Sequence, residues 1–233
     1  MIGFVIALKS EVDGLFEKMS NKHTSVVNGY EVYIVKILNS YIHIIFSGVG
    51  KVNATMATQT LIDHFKIKTI INVGSCGSLV SNLKINDLFM PTSISYNDVD
   101  VTSFGYKLNQ IPNQPEEFVV DQQLFEKISS FLKGYPHPLL HGKLVSGETF
   151  LSQNTITKFS IDEKAMASDM ESAAIAQTCL HNNIKLIVIK VVSDSILHQK
   201  NNANEWTKNI QIINKVMTQI INDIANFLIY NHL

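Results

Sequence analysis

The sequence predicts a three-layer α/β/α domain built on a central mixed, twisted β-sheet. Three observations carry that expectation. Strand-like segments, most of them short apolar runs suited to burial, recur at Ile2 to Leu8, Thr69 to Val73, Asp87 to Tyr96 and Lys185 to Val192. Helical periodicity alternates with them, most clearly in the stripe Ile210, Ile213, Met217, Ile220, Ile224 and Phe227. Finally, Asn28-Gly29 lies between Ser25-Val26-Val27 and Tyr30 to Ile37, and this dipeptide supplies the positive φ that both central positions of a type I′ hairpin turn require. The hairpin adds an antiparallel meander to a strand–helix alternation, which makes the sheet mixed. At 233 residues, with no linker, repeat or low-complexity segment, the chain reads as one domain over residues 1–233.

In chain order, Ile2 to Leu8 is followed by Ser10 and Asp13, a capping-box pattern that predicts a helix to about Met19. After the hairpin, Asn39-Ser40 turns the chain into a strand from Tyr41 to Phe46. Ser47-Gly48-Val49-Gly50-Lys51 then makes a tight glycine turn into a helix through Phe65; its spacing is not that of a Walker A loop, and Val52 follows the lysine. Thr69 to Val73 leads to Gly74-Ser75-Cys76-Gly77-Ser78, which reads equally as a structural turn or as backbone N–H groups offered to a ligand. Asn97 to Phe118 has no period, contains Pro112 and Pro115, and is too apolar for a solvated loop, so it is expected to cover a pocket or meet a second subunit. Asp121 to Lys133 has helical spacing. His137 and His141 are kept off one helix face by Pro136 and Pro138 and read as surface residues, with no metal site implied. Lys143 to Val145 is a short strand before Ser146 to Leu151, and Asn204 is the expected N-cap of the terminal helix.

Composition excludes several classes. A formal charge of −1 and the absence of any basic run argue against nucleic acid as a partner. No apolar run approaches the roughly 20 residues that span a bilayer. The chain opens without the basic region of a signal peptide, and Cys76 and Cys179 are far apart with no metal or redox spacing, so a reducing cytoplasm is expected. All 19 basic residues are lysines, which disfavours a site built to clamp a phosphate dianion, since arginine is the usual bidentate partner.

Chemistry-bearing residues converge on one sheet edge. Glu171 falls where a short strand turns into a helix, and Asp194 falls where the last buried strand stops, so a strand–helix–strand unit brings both carboxylates to the carboxyl edge, where ligands bind in α/β sheets. Taken singly, Glu171 reads equally as a helix-N-terminal charge and Asp194 as a turn residue. Glu11 likewise reads as a first-turn charge. Phe150, beside a glycine turn, suits either the core or stacking on a flat ligand. Glu11, Ser47 to Gly50, Gly74 to Ser78, Phe150, Met170-Glu171 and Ser193-Asp194 all fall at strand ends, and together they describe a small-molecule pocket.

These residues carry a resemblance. Ala7 to Glu11, Ser47 to Lys51, Asn72 to Gly77, Asp100 to Tyr106, Ser146 to Phe150, Asp169-Met170-Glu171 and Ser193-Asp194 resemble, in this order and over essentially the whole chain, the 5′-methylthioadenosine/S-adenosylhomocysteine nucleosidases of the purine nucleoside phosphorylase superfamily. The resemblance implies a nucleoside phosphorylase-like fold and hydrolysis of the N-glycosidic bond of 5′-thioadenosines, and of 5′-deoxyadenosine, to release adenine without a cofactor. Asp194, backed by Ser193, would protonate the purine at N7, and Glu11 would be the base for water. Glu171 would hold the ribose hydroxyls above Met170. Phe150 would stack on adenine, with the Leu151 backbone reading its edge. Ser75, at the Gly74-to-Gly77 segment, would help hold the water, and Leu8 and Val49 would line the 5′ pocket. Val101, Phe104 and Pro112 match loop positions that reach a neighbour's site, which implies a homodimer.

Three positions depart from the family pattern. Lys190 stands where arginine is frequent near the water, Asp169 stands where glutamate is frequent, and no aromatic aligns near Ala203 and Asn204, although Trp206 follows. Two other functions compete with hydrolysis. A phosphorylase would attack with phosphate, which the absence of arginine disfavours, and a non-catalytic nucleoside-binding module would not need the carboxylates this chain keeps.

Overall fold

The first apolar run forms β1 (Ile2–Ile6), buried at every position. It is followed by a 3-10 turn at Lys9–Val12 in place of the expected helix to Met19, because Gly14, at φ 82°, separates that turn from a one-turn helix α1 (Leu15–Lys18). The capping oxygen of the turn comes from Glu11, not Ser10: its Oε2 accepts the Leu8 N–H at 3.1 Å. The meander follows as β2 (Lys22–Val27), β3 (Tyr30–Ile37) and β4 (Ser40–Phe46). Asn28 (φ 51°) and Gly29 (φ 82°) make the turn that the dipeptide predicts.

The helix α2 (Lys51–Phe65) leads to β5 (Thr69–Ser78), β6 (Leu88–Tyr96), the short β7 (Phe118–Val119) and α3 (Gln122–Leu132), whose N-cap Asp121 accepts from Leu124 N. Then come β8 (Leu139–Ser146), β9 (Ala165–Asp169), α4 (Ser172–Asn182), β10 (Lys185–Ser195) and α5 (Asn202–Tyr230). Asn204 therefore lies inside the first turn of α5. Between β6 and β7 the long aperiodic segment holds only a 3-10 turn at Thr102–Phe104. His141 is wired into the fold, with Nε2 3.0 Å from Ser129 Oγ and Nδ1 3.2 Å from Met90 O, and is half-buried. These descriptions come from a computed structural model and cover residues 1–19, 21–197 and 202–233.

Ten strands among these residues form one mixed sheet. β1 lies parallel between β4 and β5, and β4, β3 and β2 extend the sheet antiparallel to an exposed edge. On the other side β5 pairs parallel with β10 and antiparallel with β9, while β10, β6, β8 and β9 pair in succession. Those pairings return to β5, so this half of the sheet curls into a closed ring and has no free edge there. α2 and α4 pack on each other and on the sheet; α5 packs on β10, β5 and the Lys9–Val12 turn, and on α3 through stacked Phe131 and Phe227. No helix among the described residues is long and apolar enough to cross a membrane.

Two strands run further than their apolar runs. β5 continues through Gly74 to Ser78, and β10 continues through Ser193 to Ser195, so these residues lie on strands at the carboxyl edge and not in turns after it. Gly77 permits the pairing: a Cβ there would sit 3.2 Å from Asp194 Oδ2 and 3.4 Å from Ser168 Oγ.

Candidate active site

A cavity of about 300 Å³ opens at this carboxyl edge, a size suited to a small ligand. Leu8, Glu11 and Val49 line it, as do Ser75 and Gly77 from β5 and Ser193 and Asp194 from β10. Phe150, Leu151, Met170 and Glu171 complete the enclosure, with Trp206 arriving from α5. Each residue that the sequence assigns to the catalytic and substrate-binding set in one chain therefore lines this space. Val101, Phe104 and Pro112 do not: they lie on the Asn97–Glu117 segment, and Phe104 is 79% exposed.

Glu11 is fixed from two directions. Its Oε2 accepts the Leu8 N–H, and Oε1 accepts the Ser75 N–H at 2.8 Å and the Ser75 hydroxyl at 2.7 Å. The first bond is the local one its position predicts, and the other two cross to β5 and hold a buried carboxylate on the cavity wall.

Asp194 owes its direction to a bulge. β10 and β5 pair Val192 with Cys76 and Asp194 with Gly77, so Ser193 is an extra residue, and bulges of this kind re-aim side chains. Ser193 Oγ lies 2.7 Å from Asp194 Oδ1 and 3.1 Å from Cys76 O, and its single proton serves one of them at a time. Both residues are 1% exposed. Cys76 packs beneath them, and burial pushes its thiol pKa up, which keeps it protonated and inert.

Glu171 occupies the N-cap position of α4 but its side chain makes no cap bond. It reaches instead to the Gly50 N–H at 2.9 Å and the Met170 N–H at 3.2 Å. The capping is done by Asp169, whose carboxylate accepts from Ser172 N at 3.2 Å, Glu171 N at 3.3 Å and Ser146 Oγ at 2.5 Å, and from Ser172 Oγ. Lys190, wholly buried, completes that shell with Nζ 2.9 Å from Asp169 Oδ2.

The Phe150 loop is braced from outside the cavity. Lys51 Nζ binds both Asp98 oxygens at 2.9 and 2.8 Å, Asp98 Oδ2 accepts the Glu148 N–H at 2.8 Å, and Glu148 Oε1 accepts the Lys51 N–H at 2.7 Å. Two carboxylates, from Glu148 and Glu171, thus sit on consecutive N–H groups at the start of α2, where the helix dipole favours them. Gly50 suits this position, since its φ of 98° is one that L side chains rarely adopt, and a Cβ 2.7 Å from Glu148 Oε2 would displace that carboxylate.

Comparison with known proteins places the chain in a family. A family model described as the phosphorylase superfamily matches residues 1–226. A 5′-methylthioadenosine/S-adenosylhomocysteine nucleosidase from Buchnera aphidicola subsp. Acyrthosiphon pisum (strain Tuc7) is 40% identical over 235 residues, covering 98% of each chain. The chain belongs to the methylthioadenosine/S-adenosylhomocysteine nucleosidases of the phosphorylase superfamily. A nucleosidase of that name from Staphylococcus haemolyticus is 38% identical, covering 83% of this chain and 86% of the relative. Among solved structures, the Neisseria meningitidis nucleosidase in complex with methylthio-immucillin-A superposes with a TM-score of 0.87 at 28% identity, covering 97% of this chain and 99% of that one. The Streptococcus pneumoniae nucleosidase in complex with 8-aminoadenine gives 0.87 at 26%, covering 97% and 98%.

Within this nucleosidase the charges oppose one another at close range. Burial pushes the Glu171 pKa up to about 7, helped by the Asp169 carboxylate and opposed by Lys190 and the Gly50 N–H. Burial acts the same way on Asp169, yet the Lys190 ammonium and the Ser146 and Ser172 hydroxyls outweigh it and hold that carboxyl below its usual range. Burial works against the charge on Lys190, but Asp169 and then Glu171 keep it above the usual lysine value. The buried charge on Asp169 is therefore neutralised by Lys190, and of the two carboxyls it is Glu171 that takes up a proton as pH falls through about 7.

Sequence reasoning places Glu171 and Asp194 in the pocket but not the division of labour between Glu171 and Asp169, two residues apart. It also does not find the Lys51, Asp98 and Glu148 brace, whose members are far apart in sequence and individually look like surface charges.

Proposed function

We propose that this nucleosidase hydrolyses the C1′–N9 bond of 5′-methylthioadenosine and S-adenosylhomocysteine, and of 5′-deoxyadenosine, releasing adenine and the 5′-substituted ribose. The observation that carries the reading is that one cavity is lined both by Asp194, buried with Ser193, and by Glu11, buried and bonded to Ser75. In this reading adenine stacks on Phe150, with its edge at the Leu151 backbone, and the ribose lies over Met170 with its 2′- and 3′-hydroxyls on Glu171. Asp194 donates a proton to N7 as the C1′–N9 electrons move into the purine, and the ribose gains oxocarbenium character that Glu171 stabilises. Glu11 orients a water with Ser75 and takes its proton as oxygen bonds to C1′; release of that proton from Glu11 to solvent and uptake of one by Asp194 close the cycle. Leu8 and Val49 supply an apolar berth for the 5′ substituent.

Two features favour water over phosphate as nucleophile: a carboxylate fixed on the attacking side repels a dianion, and the chain has no arginine to hold one. Adenine release from 5′-methylthioadenosine is expected to proceed undiminished in phosphate-free buffer. A rate that appears only on adding phosphate would establish a phosphorylase instead. Asp194→Asn is expected to lower kcat by about 10²-fold or more, the usual worth of a general acid; full turnover by that variant would remove Asp194 from the role.

The site is further proposed to be completed in a homodimer, with Val101, Phe104 and Pro112 of one subunit facing the cavity of the other. The exposure of the Phe104 ring on a segment outside its own chain's cavity supports this.

A further inference from the structure

The first turns of α5 send three side chains into the ends of β10 and β5. Glu205 Oε2 accepts the Ser195 N–H at 2.9 Å, Asn209 Nδ2 donates to Ser193 O at 2.8 Å, and Trp206 Nε1 donates to Ser75 Oγ at 3.2 Å. The last of these has a chemical consequence. An indole N–H only donates, so the Ser75 oxygen must accept from it. The hydroxyl has one proton of its own, and Glu11 Oε1 lies 2.7 Å away. Trp206, Ser75 and Glu11 therefore form a chain in which every bond points toward the carboxylate, and aligned hydrogen bonds polarise one another.

We propose that Trp206 is a positioning residue for Glu11. It holds the Ser75 hydroxyl as an obligate donor to that carboxylate, and so ties the placement of α5 to the side of the cavity from which water attacks. A lining role alone would require only the ring, and phenylalanine would supply that. The N–H adds orientation: without it the Ser75 hydroxyl can turn, and Glu11 keeps the Ser75 and Leu8 backbone donors but loses its shortest bond. Glu205 and Asn209, on either side, pin the same turns to the strand that carries Asp194, so one helix end is tied to the strands that carry Ser75 and Asp194. The inference rests on the reading of Glu11 as the base.

The test is a double-mutant cycle on adenine release from 5′-methylthioadenosine, with folding checked by circular dichroism. Trp206→Phe is expected to lower kcat about fivefold, the worth of one neutral hydrogen bond, with KM within about twofold. In a Ser75→Ala background the same substitution is expected to change kcat less than about twofold, because the acceptor is already gone. An equal loss in both backgrounds, or a raised KM with unchanged kcat, would overturn the inference and leave Trp206 a wall of the 5′ pocket. Trp206 is the sole tryptophan, which gives a second readout should Trp206→Phe not fold. Ser75→Ala is expected to shift the emission maximum of ligand-free protein, and an unshifted spectrum overturns the proposal. Glu11→Gln, run in parallel, separates the two levels: near-full turnover there would sink the assignment of Glu11 itself, whereas an inactive Glu11→Gln with an additive cycle sinks only the role of Trp206.

Discussion

Glu171 and Asp169 are two residues apart, both are buried carboxylates, and the structure gives them opposite tasks. Asp169 takes the α4 N-terminus, two serine hydroxyls and Lys190, and stays ionised; Glu171 is left with two backbone N–H groups and a raised pKa of about 7. This has a thermodynamic sign. The folded chain holds a proton on Glu171 that the unfolded chain, with an ordinary value near 4.5, has released. The stability it contributes is fully present below the unfolded pKa and is lost as pH rises through about 7. Glu171→Gln, which mimics the protonated group, is expected to gain stability relative to the ligand-free wild type as pH rises from about 4.5 to above 7, by on the order of 3 kcal/mol, while losing nucleosidase activity. Thermal melts of both proteins across that range measure it; a difference independent of pH would contradict the assignment.

At the scale of elements, β10 does the most. It is buried along almost its whole length, bulges at Ser193, carries the buried Lys190 and Asp194, and pairs with β5 and β6 in the ring. Lys190 is where the family often has arginine, and here its one ammonium meets the shorter Asp169. Removing one partner of a buried ion pair strands the other charge, so Lys190→Met is expected to cost about 3–5 kcal/mol in urea unfolding. The double change Lys190→Met with Asp169→Asn is expected to recover a large part of that, because the amide carries no unpaired charge. A single-variant loss below about 1 kcal/mol would show the pair to be dispensable. α2 contributes in a different way: its N-terminus is shared by Glu148 and Glu171, so one helix end holds both the Phe150 loop and the Glu171 carboxylate.

At the scale of the molecule, the segment from Asn97 to Glu117 is the part whose purpose one chain does not display. The prediction from the proposed homodimer is that Phe104→Glu shifts the sedimenting species from twice the monomer mass toward the monomer and raises KM for 5′-methylthioadenosine. An unaltered dimer with unaltered kinetics would remove Phe104 from any neighbouring site.

The layered fold, the hairpin at Asn28-Gly29, the helix after Gly50 and the pocket residues were legible because each is announced locally, by apolar period, by a turn residue or by a carboxylate at a strand end. The helix expected up to Met19 was not, because a positive-φ glycine at position 14 outweighs a capping pattern. Nor was the length of β5 and β10 legible, because Gly74, Gly77 and Ser193 resemble turn residues until their partners across the sheet are known.

The sequence by itself determined the fold class, the family and which residues gather at one edge, since local period and motif order survive without coordinates. Only the tertiary structure decided which carboxylate is neutralised by Lys190 and which is held by the start of α2, and which hydroxyl orients toward Glu11. Those outcomes depend on distances between groups far apart in the chain, and burial makes every such distance count.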